Sequence, residues 1–302
     1  MDCPDDLGLL TTYKNPTVRH FDIFGDTSAA TALGGNLAGK ILAAMPLRWP
    51  ETVRALMIHS AEWTPAMKQQ FDAAGSEQQK HVLLRKYGYG VPDYSRAVLS
   101  AANDLTLIAE DSFQPFQKDG SAIKTRHMNL HQFPWPRTEL EQLGETEVEL
   151  RVTLSYYVEP NPGERGWLRR HRYSSHGLRF AVKKSLESLD TFRTRINAAA
   201  VAEEEELPAI DAGADDWLLG PRLRNRGSVH SDYWRGTAAE LARRSAIGVY
   251  PIGGWWKENL AHKRYDRTVR YALIVSIRAV NGTVDIYTPV MTQIATPVEV
   301  PI

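Results

Sequence analysis

Four residues, Gly25-Asp26-Thr27-Ser28, close a short β-branched and aromatic stretch and open a run of alanines, glycines and spaced leucines, GDTSAATALGGNLAGKIL. A serine at the start of a helix lies beside unpaired backbone N–H groups and the positive end of the helix dipole, so a developing alkoxide or oxyanion is stabilised there. Serine is also a favoured helix N-cap. Ser28 therefore has two readings, a nucleophile or a cap of a buried helix. No Glu or Gln follows it at capping-box spacing, and the alanines keep the space around its hydroxyl small-sided.

Other residues offer less. His20, eight positions earlier, and His59 are the histidines nearest in sequence, but a Ser-His pair needs a hydrogen bond and an orienting carboxylate. Asp22 and Asp26 read as turn or surface acids. RGWLRRHRY, residues 165–173, mixes arginines with aromatics as a phosphate-gripping segment would, yet it follows Pro160, Pro162 and Gly163 and reads as a solvated loop. His230, Ser231 and Asp232 invite a triad reading, but adjacent strand residues point to opposite faces and would not converge. There is no HExxH spacing and no Gly-rich phosphate loop. The expectation is no metal and no cofactor.

The elements that would position Ser28 are legible in outline. Residues 17–24 read as a short strand feeding the Gly25 turn. From Thr27 to about Met45, apolar and small residues recur at helical steps until Pro46. Gly34, Gly35 and Gly39 weaken that helix by about 1 kcal/mol each, so it is expected to rely on close packing in the middle of a protein. A second helix is expected at WPETVRALMIHSA, with Pro50 in its first turn and Val53, Leu56, Met57 and Ser60 inward. Further helices are expected at 64–74, at 77–87 closed by Gly88, and in a short stretch ending near 101. Past about residue 104 the period falls to two. Residues 147–158 alternate as a long half-buried strand, 271–277 repeat the pattern, and Asn281-Gly282-Thr283 signals a hairpin into VDIYTPV. DLTLIAE, GLRFAVKK and SAIGVYPI are shorter strand candidates, and a helix near 189–205 interrupts them. The simplest architecture for this part is an antiparallel β-sandwich with one long insertion.

The chain has 302 residues, 43% of them apolar, and its 36 basic side chains balance 36 acidic ones. That is the profile of a soluble globular protein, with nothing that demands nucleic acid or an anionic membrane as partner. No apolar run approaches the roughly 20 residues of a membrane span, and the acidic opening MDCPDDLGLL is unlike a signal peptide. A cytoplasmic location is expected. The single cysteine, Cys3, excludes an intrachain disulfide.

A resemblance adds to these readings. GDTSAATALGGNLAGKILAAMP, followed by PETVRALMIHSAEW, resembles the nucleophile region of the subtilisin-like serine peptidases (subtilases, peptidase S8 type), where a Thr-Ser pair opens a long buried helix of small residues. YGYGVPDYSRAV resembles the Gly-Tyr-Gly-x-Pro segment near the end of that catalytic domain. With LRNRGSVHSDYWRGTAAELA and VYPIGGWWKE, the whole is similar to a bacterial subtilase subgroup that carries a β-rich C-terminal domain and tends to be encoded beside an AAA-type ATPase, a pairing associated with phage defence. The resemblance implies that Ser28 attacks a peptide bond, that its backbone N–H shares the oxyanion, and that an upstream histidine, aspartate and asparagine complete the site. In most subtilases a glycine directly precedes the Thr-Ser pair; here Asp26 does.

Only 27 residues precede Ser28. The expected fold class is thus an α/β remnant, the helix-rich C-terminal part of a subtilase-type parallel-sheet domain over residues 1–103, followed by a mainly antiparallel β-sandwich domain over 104–302. The expected function is serine endopeptidase by family, acting on protein or peptide, without activity in this chain alone and with an AAA-type ATPase as possible partner. The alternative is a non-catalytic binding or scaffolding protein with Ser28 as a helix cap. An exposed apolar surface around the Ser28 helix favours the first reading.

Overall fold

The computed structural model describes residues 8–98, 104–162, 173–204, 217–258, 260–279 and 298–301. The chain divides into two compact units, Met1–Arg48 and Trp49–Ile302. The first holds strands β1 (Leu9–Thr12) and β2 (Phe21–Phe24) and helix α1 (Asp26–Ala44). The strands form an antiparallel hairpin with Leu9 opposite Phe24 and Thr12 opposite Phe21. Its loop is shaped by Asn15, whose Oδ1 accepts from the Thr17 N–H at 3.1 Å and the Thr17 hydroxyl at 2.7 Å. Helix α1 ends two residues before Pro46, with the Met45 N–H on the Ile41 carbonyl.

Among the described residues of its own unit, α1 does not show the expected close packing. Only Ala29 and Ile41 of the helix are buried, and a Cβ added at Gly35 or Gly39 would meet no atom within 4 Å. Leu33 is 56% exposed and Leu47, just beyond the helix, 92%. Small residues permit close approach without compelling it.

The second unit begins with four helices, α2 (Pro50–His59), α3 (Pro65–Asp72), α4 (Glu77–Tyr87) and α5 (Tyr94–Val98). Their ends follow local chemistry: Thr64 caps α3, Ser76 caps α4, and Gly88 at φ 56° closes α4. Next come β3 (Asp104–Phe113), β4 (Phe116–Asp119), β5 (Ala122–Thr125), β6 (His127–Gln132), α6 (Arg137–Leu143), β7 (Glu147–Tyr156) and β8 (Gly177–Val182). The remainder is α7 (Leu189–Glu204), α8 (Gly220–Arg224), β9 (Val229–Thr237), α9 (Ala238–Leu241), β10 (Ala246–Ile252), α10 (Trp255–Glu258), β11 (Val269–Ala279) and β12 (Val298–Pro301). The Asn281-Gly282 hairpin and most of RGWLRRHRY lie outside the described residues.

Two four-stranded sheets, ordered β12-β6-β10-β8 and β3-β11-β7-β9, are antiparallel throughout. The protein is therefore a mixed one of helices and antiparallel sheets. One apolar cluster draws on both sheets, joining Leu178 and Phe180 of β8 and Val249 of β10 to Val152, Leu154, Leu273 and Val275 of β7 and β11. Trp255 and Trp256 close one side of it, with both indole N–H groups donating to Glu159, at 3.0 Å to its carbonyl and 3.1 Å to its carboxylate.

Strand β7 differs from the half-buried expectation. Its polar face, Arg151, Thr153 and Ser155, is as buried as its apolar one. Helix α2 covers that face, and β11 beside it. Consequently the inward side of α2 keeps Leu56, with Ser60 just beyond the helix, from the expected set but not Val53 or Met57. Its buried residues are Glu51, Thr52, Ala55, Leu56 and His59, because the sheet offers polar partners.

Those partners hold both ends of α2. At its N-terminus, where Trp49 supplies no side-chain cap, Glu110 of β3 accepts from the Trp49 N–H at 2.7 Å and from the Thr52 hydroxyl. Glu51 pairs with Arg270 of β11 at 3.0 Å. At its C-terminus Arg151 donates to the carbonyls of Ile58 (2.8 Å), His59 and Ala61 (2.8 Å). An anion thus sits at the positive helix end and a cation at the negative one.

Candidate functional site

Ser28 is the third residue of α1 and is exposed. The N-cap position belongs to Gly25, and no side chain caps the helix. The cap reading of Ser28 is thereby corrected: its hydroxyl lies inside the first turn rather than ahead of it. Its backbone N–H is one of the first four of the helix, which lack a partner four residues back. An uncapped helix end leaves those donors for an incoming oxyanion.

The turn before Ser28 is left-handed at Asp26, where φ is 62°. Glycine meets that conformation without steric cost, and aspartate is among the few side-chain-bearing residues that tolerate it. Asp26 thus occupies a backbone conformation that glycine adopts freely. Thr27 helps hold the first turn through its carbonyl, which accepts from the Thr31 hydroxyl at 2.7 Å.

Within this unit the other polar candidates have their own partners. Asp22 pairs with Arg19 at 2.8 Å and caps the Ile23 N–H at 3.0 Å. His20 is exposed just before β2, its ring against Phe21. Neither is hydrogen-bonded to Ser28 among the described residues of the unit.

His59 belongs to the second unit, and the sheet engages it fully. Its Nδ1 is 2.9 Å from the Thr153 hydroxyl and its Nε2 2.8 Å from that of Ser276. Burial holds its pKa well below the usual histidine value, and the Arg151 and Arg278 charges push the same way. A neutral ring with both nitrogens occupied is a structural residue.

The sequence His230-Ser231-Asp232 diverges as its place on β9 requires. His230 Nε2 lies 3.1 Å from the Gly227 carbonyl, Ser231 Oγ 2.7 Å from Thr153 Oγ1 on the α2 side, and Asp232 accepts from the Leu219 and Gly220 N–H groups at 2.9 Å. Arg224 stands 3.3 Å from the same carboxylate. Among the described residues no group of three or more His, Cys, Asp or Glu is placed to hold a metal ion. No described helix is long and apolar enough to cross a membrane.

The residues that sequence reasoning missed are Glu110, Arg151, Ser276 and Arg278, which anchor α2 and its following turn. Arg278 pairs with Glu62 at 3.1 Å. Their partners are 58 to 217 positions away in sequence, so no local signal marks them.

Comparison with known proteins places this site in context. The uncharacterized protein y4bN of Sinorhizobium fredii (strain NBRC 101917 / NGR234) is 30% identical over 223 residues, which are 74% of this chain and 46% of that protein. The chain thus spans less than half the length of that relative. No solved structure matches. The segment that bears Ser28, residues 2–90, matches the model of the subtilase family, Peptidase_S8.

Proposed function

We propose that residues 1–103 are the nucleophile-bearing C-terminal part of a subtilisin-like serine endopeptidase domain, with Ser28 as nucleophile, and that residues 104–302 form an appended β-sandwich domain. The observation that carries this reading is an exposed serine hydroxyl in the first turn of an uncapped helix, behind a left-handed residue, inside the segment matching the subtilase model. In the proposed reaction Ser28 Oγ attacks the carbonyl carbon of a peptide bond while a histidine takes its proton. The Ser28 N–H and an asparagine side chain receive the oxyanion. Collapse of the tetrahedral species expels the amine, which leaves with that proton, and water then hydrolyses the acyl-enzyme.

Of that machinery, the unit holding Ser28 supplies the hydroxyl and the N–H. The histidine, its aspartate and the asparagine must come from residues outside it, and without them a serine hydroxyl is a poor nucleophile, several orders of magnitude slower. The exposed apolar side chains of the first unit support the same view. Leu10, Val18, Phe21 and Leu33 are 56% to 70% exposed, as expected of surfaces that a larger core covers. A protein or peptide substrate and an AAA-type ATPase partner belong to this proposal through the resemblance.

The test is labelling with a fluorophosphonate serine probe, applied to this chain, to a form extended upstream in the source DNA, and to Ser28→Ala in each. Labelling of the extended form alone, abolished by Ser28→Ala, is the expected result. If neither form labels, Ser28 is no nucleophile and the binding-protein reading takes its place.

A further inference from the structure

Residues 63–90, which carry α3 and α4, leave the body of the second unit at Glu62 and return to it at Val91. Those two residues exchange both backbone hydrogen bonds, at 3.0 and 2.9 Å, so the lobe between them is pinned at its base. Beyond that base little apolar surface holds it. Helix α4 buries no residue and α3 only Phe71. Phe71 meets Leu219 and Leu223 at α8, with Trp63, Leu84 and Tyr89 half-buried around them, in a cluster separate from the one between the sheets. The polar ties are slight. Glu77 of α4 pairs with Arg222 of α8 at 3.4 Å on the surface, where such a bridge contributes little, and the Tyr89 hydroxyl donates to the Val229 carbonyl over a long 3.4 Å.

Helix α8 is held in turn by one buried carboxylate. Asp232 of β9 accepts from the Leu219 and Gly220 N–H groups at 2.9 Å and from the Arg224 guanidinium at 3.3 Å, and both members of that ion pair are buried. Arg224 also donates to the Phe180 carbonyl at 3.3 Å, on β8, the outermost described strand of its sheet. This docking is imperfect. Arg224 Nε and the Oδ1 of Asn225, just after the helix, are buried with no hydrogen-bond partner among the described residues, whereas buried polar groups in native folds are nearly always paired. A buried ion pair adds little stability while whole and costs much when one member is lost. Few apolar contacts and an incompletely satisfied polar hold are the marks of an element that opens at lower free energy than the sheets beside it.

We propose that α3, α4 and α8 form a latch that opens as one unit while both sheets and α2 stay folded, with Asp232 as its catch. Opening moves the lobe about its Glu62–Val91 base, withdraws Arg224 from Asp232 and frees the Phe180 carbonyl on the outer side of β8. The latch therefore governs access to that sheet edge. It rests on contacts within the second unit and is independent of the role of Ser28.

The test is native-state hydrogen exchange of the whole chain across sub-denaturing urea, read by mass spectrometry of its peptides. In the wild type, α3, α4 and α8 are expected to share one opening equilibrium, populated at least about tenfold more than that of β7, β10 and β11. Phe71→Ala, at the end of the latch away from Asp232, is expected to speed exchange of the Leu219 and Gly220 amides by the same factor as in α4, at least about tenfold. It should leave β10 and β11 within about twofold. Asp232→Asn, which keeps the shape and removes the charge, is expected to raise opening of all three helices together by at least about a hundredfold; if that variant does not fold, Phe71→Ala decides. Equal opening of the helices and the sheets in the wild type overturns the proposal, as does faster exchange of α3 and α4 in Phe71→Ala with α8 unchanged.

Discussion

Replacing Arg151 by Met tests whether helix α2 is held by the sheet beneath it. The guanidinium is 4% exposed, donates to the Ile58, His59 and Ala61 carbonyls, and lies 4.3 Å from the centre of the Tyr233 ring. Three bonds from a charged donor represent about 5–9 kcal/mol at 1.5–3 each. Against this stands the cost of keeping a cation out of water, several kcal/mol, which the burial of Arg151 expresses as a lowered pKa. Methionine fills most of the volume and recovers that cost while stranding the carbonyls. The net loss is about 2–4 kcal/mol, equivalent to a fall in melting temperature of about 5–15 °C for a unit of this size. Circular dichroism melts give the global loss, and hydrogen exchange locates it, since the last turn of α2 should open before β11 does. Arg151→Lys, which keeps the charge but not the fork, should fall between the two. A methionine variant within about 0.5 kcal/mol of wild type, the ordinary range of a surface change, would refute the reasoning.

Asp26→Gly should leave stability within about 1 kcal/mol, because relief of the left-handed strain offsets added freedom in the unfolded chain. Asp26→Val should lose about 1–2 kcal/mol, and equal denaturation midpoints for the two would argue against a required positive φ. Gly90→Ala should cost more than about 2 kcal/mol, since φ is 101° and a Cβ would lie 2.2 Å from the Glu62 carbonyl oxygen; a urea melt decides it. Stability should also fall on mild acidification. His59, His131, His176 and His230 are buried with lowered pKa values, about 4 for His131 and about 3 for His176. The unfolded chain takes up protons below about pH 6.5 while the fold does not. Their contribution is therefore complete above that value and declines toward the folded pKa values, by about 1 kcal/mol per histidine between about pH 7 and 5.5. Unfolding free energies that stay flat across this window would contradict neutral burial of the four rings.

Local chemistry was readable wherever it acts over a few residues. The limits of α4 follow from Ser76 and Gly88, the end of α1 from Pro46, and the long strand β7 from strict alternation between Val148 and Tyr156. What escaped reading depends on distant partners. Of the buried face expected for α2, Leu56 and Ser60 are buried but Val53 and Met57 are not, and Glu51, Thr52 and His59 are buried instead, because Glu110, Arg270, Thr153 and Ser276 lie opposite. Strand β9 entered the sequence reading only as the reason His230, Ser231 and Asp232 diverge; its extent was not drawn, because His230 and Asp232, though buried, look like surface or chemistry in isolation. At the candidate site, the residue type and position of Ser28 were legible, but the left-handed turn at Asp26 was not. Only the backbone shows that aspartate occupies a conformation suited to glycine.

The anchoring of α2 also sets a schedule for synthesis. Its bonds to Arg270 and Ser276 span 219 and 217 residues, so the helix leaves the ribosome long before β11 exists. At about 5–20 residues per second, that interval lasts roughly 10–45 s. During it Glu51 and His59 are solvated rather than paired, and a ten-residue helix is marginal by itself. Helix α2 is therefore translated early and secured late.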